Sequence, residues 1–215
     1  MHVLALITQK GGTGKSSLAV SLAVAAWQGG LRVSLLDMDP QGTTRNWSER
    51  RTGEGPEVAA LDAASLGAAL EERRGRGHDL AVLDTPGVDG PAITAAVEAA
   101  SLCLIPARPS IADIEAAGPT LRRLSRLDRP FAFVLNQCPP GRSIRTAETF
   151  STLTAMSAIT DVTLALRADH LDALAQGLGV TELGPSGKAA DEVRRLLRWA
   201  LGRMEAEAGA SRAAA

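Results

Sequence analysis

The segment Gln9-Lys10-Gly11-Gly12-Thr13-Gly14-Lys15-Ser16-Ser17 constrains this chain more than any other. A short apolar run, Val3 to Ile7, precedes it, and a long Ala-rich run from Leu18 to Trp27 follows. The first has the length of a buried strand and the second that of a helix. A glycine-rich turn between such elements gathers backbone N–H groups and the positive end of a helix dipole at one point. That point attracts phosphate. Gly11, Gly12 and Gly14 leave room for the close backbone approach that a Cβ would block. Lys15 can reach the β- and γ-phosphates of a nucleotide, and the Ser16 hydroxyl can ligate Mg2+.

Along the rest of the chain, short apolar runs alternate with helical patterns. Residues 3–7 predict the first strand and 15–28 the first helix, which Gly29-Gly30 ends. Leu31 to Leu36 predicts a strand running into Asp37-Met38-Asp39-Pro40-Gln41-Gly42, where proline and glycine stop it and leave both aspartates at its tip. Residues 43–56 suit a loop or a short helix, 58–61 a short strand and 63–74 a helix. Leu80 to Leu83 reads as a buried strand ending in Asp84-Thr85-Pro86-Gly87. An Ala-rich helix, 92–100, and a strand, 102–106, come next. Residues 111–127 are mostly helical, interrupted or restarted at Pro119. A strand at 131–136 ends in Asn136; a helix follows at 143–156 and a last clear strand at 162–166. From about Ala189 to Met204, apolar residues recur at helical spacing. Alternation of this kind predicts an α/β fold, a mostly parallel central sheet with helices on both faces. Ligands of such sheets bind beyond the carboxyl ends of the strands. The phosphate loop, Asp37, Asp39, Asp84 and Asn136 all fall at those ends.

The chain has 215 residues and no linker-like break before its last dozen, so one domain over 1–204 is expected, with 205–215 as a disordered tail. Aromatics are only 3% against 45% hydrophobic residues, so Ala, Val, Leu and Ile must build the core. The net charge of −1 requires any nucleic-acid contact to come from a local basic patch. Cys103 and Cys138 lack metal-type spacing and read as small buried hydrophobes of a reducing compartment. No signal-peptide pattern or membrane-length apolar run is present, and a cytoplasmic location is expected.

An ordinary phosphate loop has glycine where this chain has Gln9, and Lys10 opens the loop instead. Lys-Gly-Gly-Thr-Gly-Lys-Ser resembles the deviant Walker A motif of the ParA/MinD ATPases, SIMIBI-class P-loop NTPases, with its additional signature lysine. Asp-Met-Asp-Pro-Gln-Gly at 37–42 resembles the first switch of that family. Leu-Asp-Thr-Pro-Gly at 83–87 resembles its Walker B strand and second switch, and Val-Leu-Asn-Gln at 134–137 its adenine-recognition strand. Asp-Pro-Gln-Gly favours the ParA branch, in a short form without an N-terminal helix-turn-helix domain.

The resemblance implies a slow Mg2+-dependent ATPase. Gly11, Gly12, Thr13, Gly14, Lys15, Ser16 and Ser17 would hold the phosphates, and Ser16, Asp37 and Asp84 the metal. Asp39 would orient or deprotonate the attacking water, and Asn136 would read adenine. Lys10 would reach the nucleotide of a partner subunit in an ATP-bridged homodimer. The plain alternatives are a strand-end or turn aspartate at Asp37 and a turn-former at Asn136, before Pro139-Pro140.

The resemblance also implies nonspecific binding of nucleoid DNA, with Arg122, Arg123, Arg145, Arg167, Arg194 and Arg195 as candidate phosphate contacts. A ParB-like, centromere-binding or adaptor partner would stimulate hydrolysis and release a plasmid, chromosome or protein cargo. A MinD-like, membrane-associated positioning ATPase is the alternative. It would need bulky apolar residues and lysines in the C-terminal segment, which instead reads Glu205-Ala-Glu-Ala-Gly-Ala-Ser-Arg-Ala-Ala-Ala. No stable membrane association is expected.

Overall fold

A computed structural model describes residues 1–156 and 158–213. Seven strands form one sheet in the order β3-β2-β4-β1-β5-β6-β7. They are β1 His2–Leu6, β2 Val33–Asp37, β3 Glu57–Ala60, β4 Leu80–Asp84, β5 Leu102–Ala107, β6 Phe131–Cys138 and β7 Ile159–Ala165. Every pairing is parallel. A parallel sheet needs crossover connections, and these helices cover both faces.

Period-two alternation decides which side chain meets which layer. Leu4, Leu6, Leu35, Val82, Leu104 and Val134 point to one face. There they meet α1 (Lys15–Gln28), the buried Trp47 of α2 (Thr43–Arg50), and α8 (Asp169–Ala175), α9 (Val180–Leu183) and α10 (Lys188–Ala213). Val3, Ala5, Leu36, Leu83, Ile105 and Phe133 point the other way. They pack on α3 (Leu66–Gly75), α4 (Pro91–Ala99), α6 (Gly118–Leu127) and α7 (Ile144–Met156). Helix α5 (Ile111–Ala116) is short and precedes α6. Ala19, Ala23 and Ala26 of α1 are buried in this layer beside the strand leucines and valines.

Residues 43–50, left between loop and helix by their composition, are helical. Helices α8 and α9 carry too little apolar periodicity to be marked in the sequence. Helix α10 extends well beyond Met204 to Ala213, where the sequence suggests a disordered tail. Ala and Glu are strong helix formers, Met204 anchors that turn in the core, and Arg203 pairs with Glu207 one turn on. Residues 214 and 215 lie outside the described residues. Among the described residues, no helix is long and apolar enough to cross a membrane.

Strand β1 lies between β4 and β5, so the chain switches sides of the sheet beside it. Such a switch opens a crevice at the carboxyl end, where the phosphate loop lies. Register brings Asp37 opposite Asp84, and Leu6 opposite Asp84 from the other side.

Candidate functional site

The loop between β1 and α1 owes its shape to glycine at two points. Gly12 has φ 75° and Gly14 φ 86°, both left-handed. A Cβ on Gly14 would also lie 2.6 Å from Asn136 Nδ2. Gly14 caps α1 with no side-chain hydrogen bond, so the first N–H groups of the helix have no capping side chain. Lys15 is buried at the first position of that helix. Burial lowers its ammonium pKa, while the Asp84 and Asp39 carboxylates oppose that shift. The loop after β4 closes the other side: a Cβ on Gly87 would stand 3.5 Å from Lys15 Nζ and 3.6 Å from Gly11 Cα.

Asp84 ends β4 and is fully buried. Its Oδ2 accepts the Thr44 hydroxyl at 2.7 Å, and its Oδ1 is buried without a hydrogen-bond partner. Burial pushes the carboxyl up to about 6, against the Ser16 and Thr44 hydroxyls and the Lys15 charge, which favour the ionised form. A buried carboxylate with an orphaned oxygen, beside a serine hydroxyl, fits a hard divalent cation such as Mg2+. In the metal-free protein, this raised pKa makes ionisation costly. Stability from Asp84 is therefore present below about pH 4 and lost as pH rises through about 6. Asp84→Asn is expected to stabilise the metal-free fold at pH 7.5 by up to roughly 3 kcal/mol, the worth of two pKa units. The gain should vanish near pH 4; equal denaturation midpoints at pH 7.5 would contradict it.

Asp37 is buried at the tip of β2. Its Oδ1 accepts the Asp39 amide at 3.0 Å and its Oδ2 the Arg45 amide at 2.8 Å. Burial raises its pKa against those two amides. Each oxygen thus accepts a backbone amide, that on Oδ2 coming from the first turn of α2. Asp39 is half-buried in its own turn, its Oδ1 accepting the Gln41 amide at 2.9 Å.

Lys10 turns to its own subunit: its Nζ lies 2.5 Å from Asp113 Oδ1. The Asp113 side chain is only 1% exposed and also accepts bonds from the Arg108 backbone and guanidinium and the Ser110 hydroxyl. Burial opposes its charge, but Arg108 and Lys10 outweigh it and hold the carboxyl below the usual range. Sequence reasoning missed Asp113, Arg108 and Thr44. Ser110-Ile111-Ala112-Asp113 carried the available signal, a helix-start pattern, and Ser110 does cap α5.

Asn136 is buried at the end of β6, its Nδ2 donating to the Thr13 carbonyl at 2.7 Å. Beyond it opens a cavity of about 280 Å³ lined by Gly14, Ser17, Gln137, Leu166 and His170, among others. Thus the loop residues 10–17, Asp37, Asp39, Asp84 and Asn136 share one end of the sheet. The arginines do not converge. Arg122 and Arg123 are on α6 and Arg194 and Arg195 on α10, helices of opposite faces. Arg145, on α7, is exposed. Arg123 pairs with Asp89 at 2.6 Å, Arg167 with Glu192 at 2.6 Å, and Arg194 donates to the Pro185 carbonyl at 2.6 Å.

Residues 4–178 match the family described as the CobQ/CobB/MinD/ParA nucleotide binding domain. A Halothiobacillus neapolitanus protein named maintenance of carboxysome distribution protein A is 30% identical over 204 residues, covering 90% of this chain and 94% of that protein. Among solved structures, apo McdA of Cyanothece superposes with a TM-score of 0.77 at 16% identity, covering 94% of this chain and 99% of that one. A septum site-determining protein MinD from Pyrococcus horikoshii, complexed with Mg-ADP, gives 0.74 at 16% identity, over 91% and 94% of the two chains.

Proposed function

The chain belongs to the CobQ/CobB/MinD/ParA nucleotide-binding family, and we propose that it is an ATP-driven positioning ATPase that dimerises around nucleotide and binds DNA without sequence preference. One observation carries the reading. Lys15 of the phosphate loop lies close enough to Asp39 and Asp84 to feel both charges at the strand carboxyl ends, and a second lysine, Lys10, opens the same loop and bonds Asp113. Lys15 and the N-terminus of α1 neutralise the β- and γ-phosphates. Ser16 and Asp84 would hold Mg2+, which when bound would supply charge neutralisation at the phosphates. Asp39 places the attacking water, and Asp37 keeps the first switch in register by holding the Arg45 amide. The cavity beside Asn136 takes the nucleobase. A protein assembly is the favoured cargo, because the carboxysome-distribution relative is matched over nearly its whole length.

Exposed apolar residues support a homodimer across this end of the sheet. Val88, Ile111, Ile144, Leu166 and Leu171 all follow strand carboxyl ends and face solvent. Lys10 must leave Asp113 to reach a partner's nucleotide, and Arg108 remains to neutralise the buried carboxylate. Lys10→Ala is expected to bind Mg-ATP within about threefold of wild type, since it removes no contact in cis to the phosphates, yet stay monomeric. Light scattering with ATP checks this, and a normal ATP-induced dimer would remove Lys10 from the interface.

The DNA reading is tested by retention on unrelated duplexes at rising salt. Binding should require ATP, and the logarithm of affinity should fall linearly with the logarithm of salt. Because α6 and α10 cover opposite faces, one pair of charge reversals should matter more. Replacing Arg194 and Arg195 together by Glu is compared with replacing Arg122 and Arg123. The pair on the DNA face should flatten the slope by about 0.9 per lost phosphate contact. Retention on anionic vesicles and not on DNA would favour the MinD-like alternative instead.

A further inference from the structure

We propose that Asn136 and Gln137 are positioning residues of the phosphate loop, whose side-chain amides fix two of its peptide planes so that the loop N–H groups face inward. The proposal rests on the nucleotide-binding reading above. Asn136 Nδ2 donates to the Thr13 carbonyl at 2.7 Å, and Gln137 Nε2 donates to the Gly12 carbonyl at 3.0 Å. Two successive side chains therefore grip two successive carbonyls. In a trans peptide unit, the C=O of one residue and the N–H of the next point in opposite directions. Holding the Gly12 carbonyl against β6 turns the Thr13 N–H away from β6, and holding the Thr13 carbonyl does the same for the Gly14 N–H.

The grip matters because the loop is glycine-rich at the positions it controls. Gly12 and Gly14 both have positive φ, where glycine has many alternatives of similar energy. Peptide flips there would scatter the N–H groups that must act together on one phosphate.

The strand end is shaped for this contact. Gln137 is itself left-handed, with φ 55°, an uncommon conformation for a residue with a Cβ. The pairing of β6 with β7 also slips register between Leu135 and Cys138. That irregularity lets two adjacent side chains reach the loop, where regular alternation would send them to opposite faces. Strain of this kind persists where surrounding contacts over-determine it. Each amide nitrogen gives one hydrogen to the loop and keeps a second, so positioning and base reading are distinguished by what each variant loses.

Three probes separate positioning from base reading: Mg-ADP, AMP and pyrophosphate, titrated into the full chain. The conditions are wild type, Gln137→Met, Gln137→Lys and Asn136→Leu. Methionine keeps the length of Gln137 and loses the donor; lysine restores a donor of similar reach. Gln137→Met should weaken Mg-ADP and pyrophosphate by the same factor, roughly fivefold, the worth of one ordinary hydrogen bond. AMP should stay within about twofold, and Gln137→Lys should recover most of the loss. Asn136→Leu leaves a buried carbonyl unpaired and should cost roughly tenfold or more with the same probe pattern. Equal weakening of AMP and Mg-ADP with pyrophosphate untouched would overturn the proposal and return both residues to the base. So would loss of all three probes with a lowered melting temperature in Gln137→Met, which marks a merely structural role. Wild type that binds neither Mg-ADP nor pyrophosphate would overturn the nucleotide reading itself, and the positioning role with it.

Discussion

Lys15→Ala is expected to weaken Mg-ATP binding by roughly two orders of magnitude or more, the loss of charge-assisted bonds to two phosphate groups. Lys15 is 7% exposed as a residue, at the first position of α1, and its charge is favoured by Asp84 and Asp39. In the free protein, burial disfavours its charge and the two carboxylates favour it. A bound triphosphate shifts that balance strongly towards the charged form, which is why the residue contributes more to the complex than to the fold. Among the described residues, the neighbouring cations are held elsewhere in the subunit. Lys10 is engaged by Asp113, and Arg45, in the first turn of α2, lays its guanidinium beside Gly42. The variant should fold, because alanine is the best helix former and the position lies at a helix start. Without the lysine, Asp84 loses the one ammonium that favours its charge and should take up a proton at higher pH. Calorimetric titration with Mg-ATP reads the affinity directly. Thermal shift gives a second reading, since stabilisation by ligand grows with the logarithm of concentration over Kd. Wild-type affinity in Lys15→Ala would overturn the assignment of the phosphate site.

The central layer was legible from residue patterns because it depends on local rules. Apolar runs such as Leu80 to Leu83 and Phe131 to Leu135 have no polar face, so they fit only strands covered on both sides. Gly-rich loop, Asp39 and Asp84 follow such runs directly, and strand polarity alone carries them to one edge. What escaped depends on contacts between residues far apart in sequence. Asp113 meets Lys10 across 103 positions, and no spacing rule links them. Arg167 is a candidate phosphate contact by its place after the last strand, and in the fold Glu192 of α10 takes its guanidinium, with Ala165's amide on the same carboxylate. The two arginine groups could not be assigned to faces until the sheet order placed α6 and α10 on opposite sides. Asp37 and Thr44 were obscured by a different cause. Composition left 43–56 between loop and helix, and only a helix starting at Thr43 brings the Arg45 amide to Asp37 and the Thr44 hydroxyl to Asp84.

Asp39→Ala should separate binding from turnover. The carboxylate lies just past β2, near enough to Lys15 to favour its charge, while Lys15, Ser16 and Asp84 keep their places without it. Mg-ATP affinity should therefore hold or tighten slightly, since an anion beside the phosphates is removed. Hydrolysis should fall by roughly the 10²–10⁴-fold that loss of a positioned general base costs. The substitution has one structural side effect, because Asp39 Oδ1 accepts the Gln41 amide and shapes the turn into Gly42 and α2. Asp39→Asn controls for it: its amide oxygen can accept the same N–H, while the group can no longer take a proton. Alanine and asparagine variants equally slow in single-turnover hydrolysis, both with normal ATP binding, would assign Asp39 to the chemistry. Both should then accumulate as ATP-bound dimers. Near-normal turnover in Asp39→Asn with loss only in Asp39→Ala would make the residue a turn-former, and the base would have to come from elsewhere in the crevice. A large loss of Mg-ATP affinity in both would instead place the carboxylate in the metal shell.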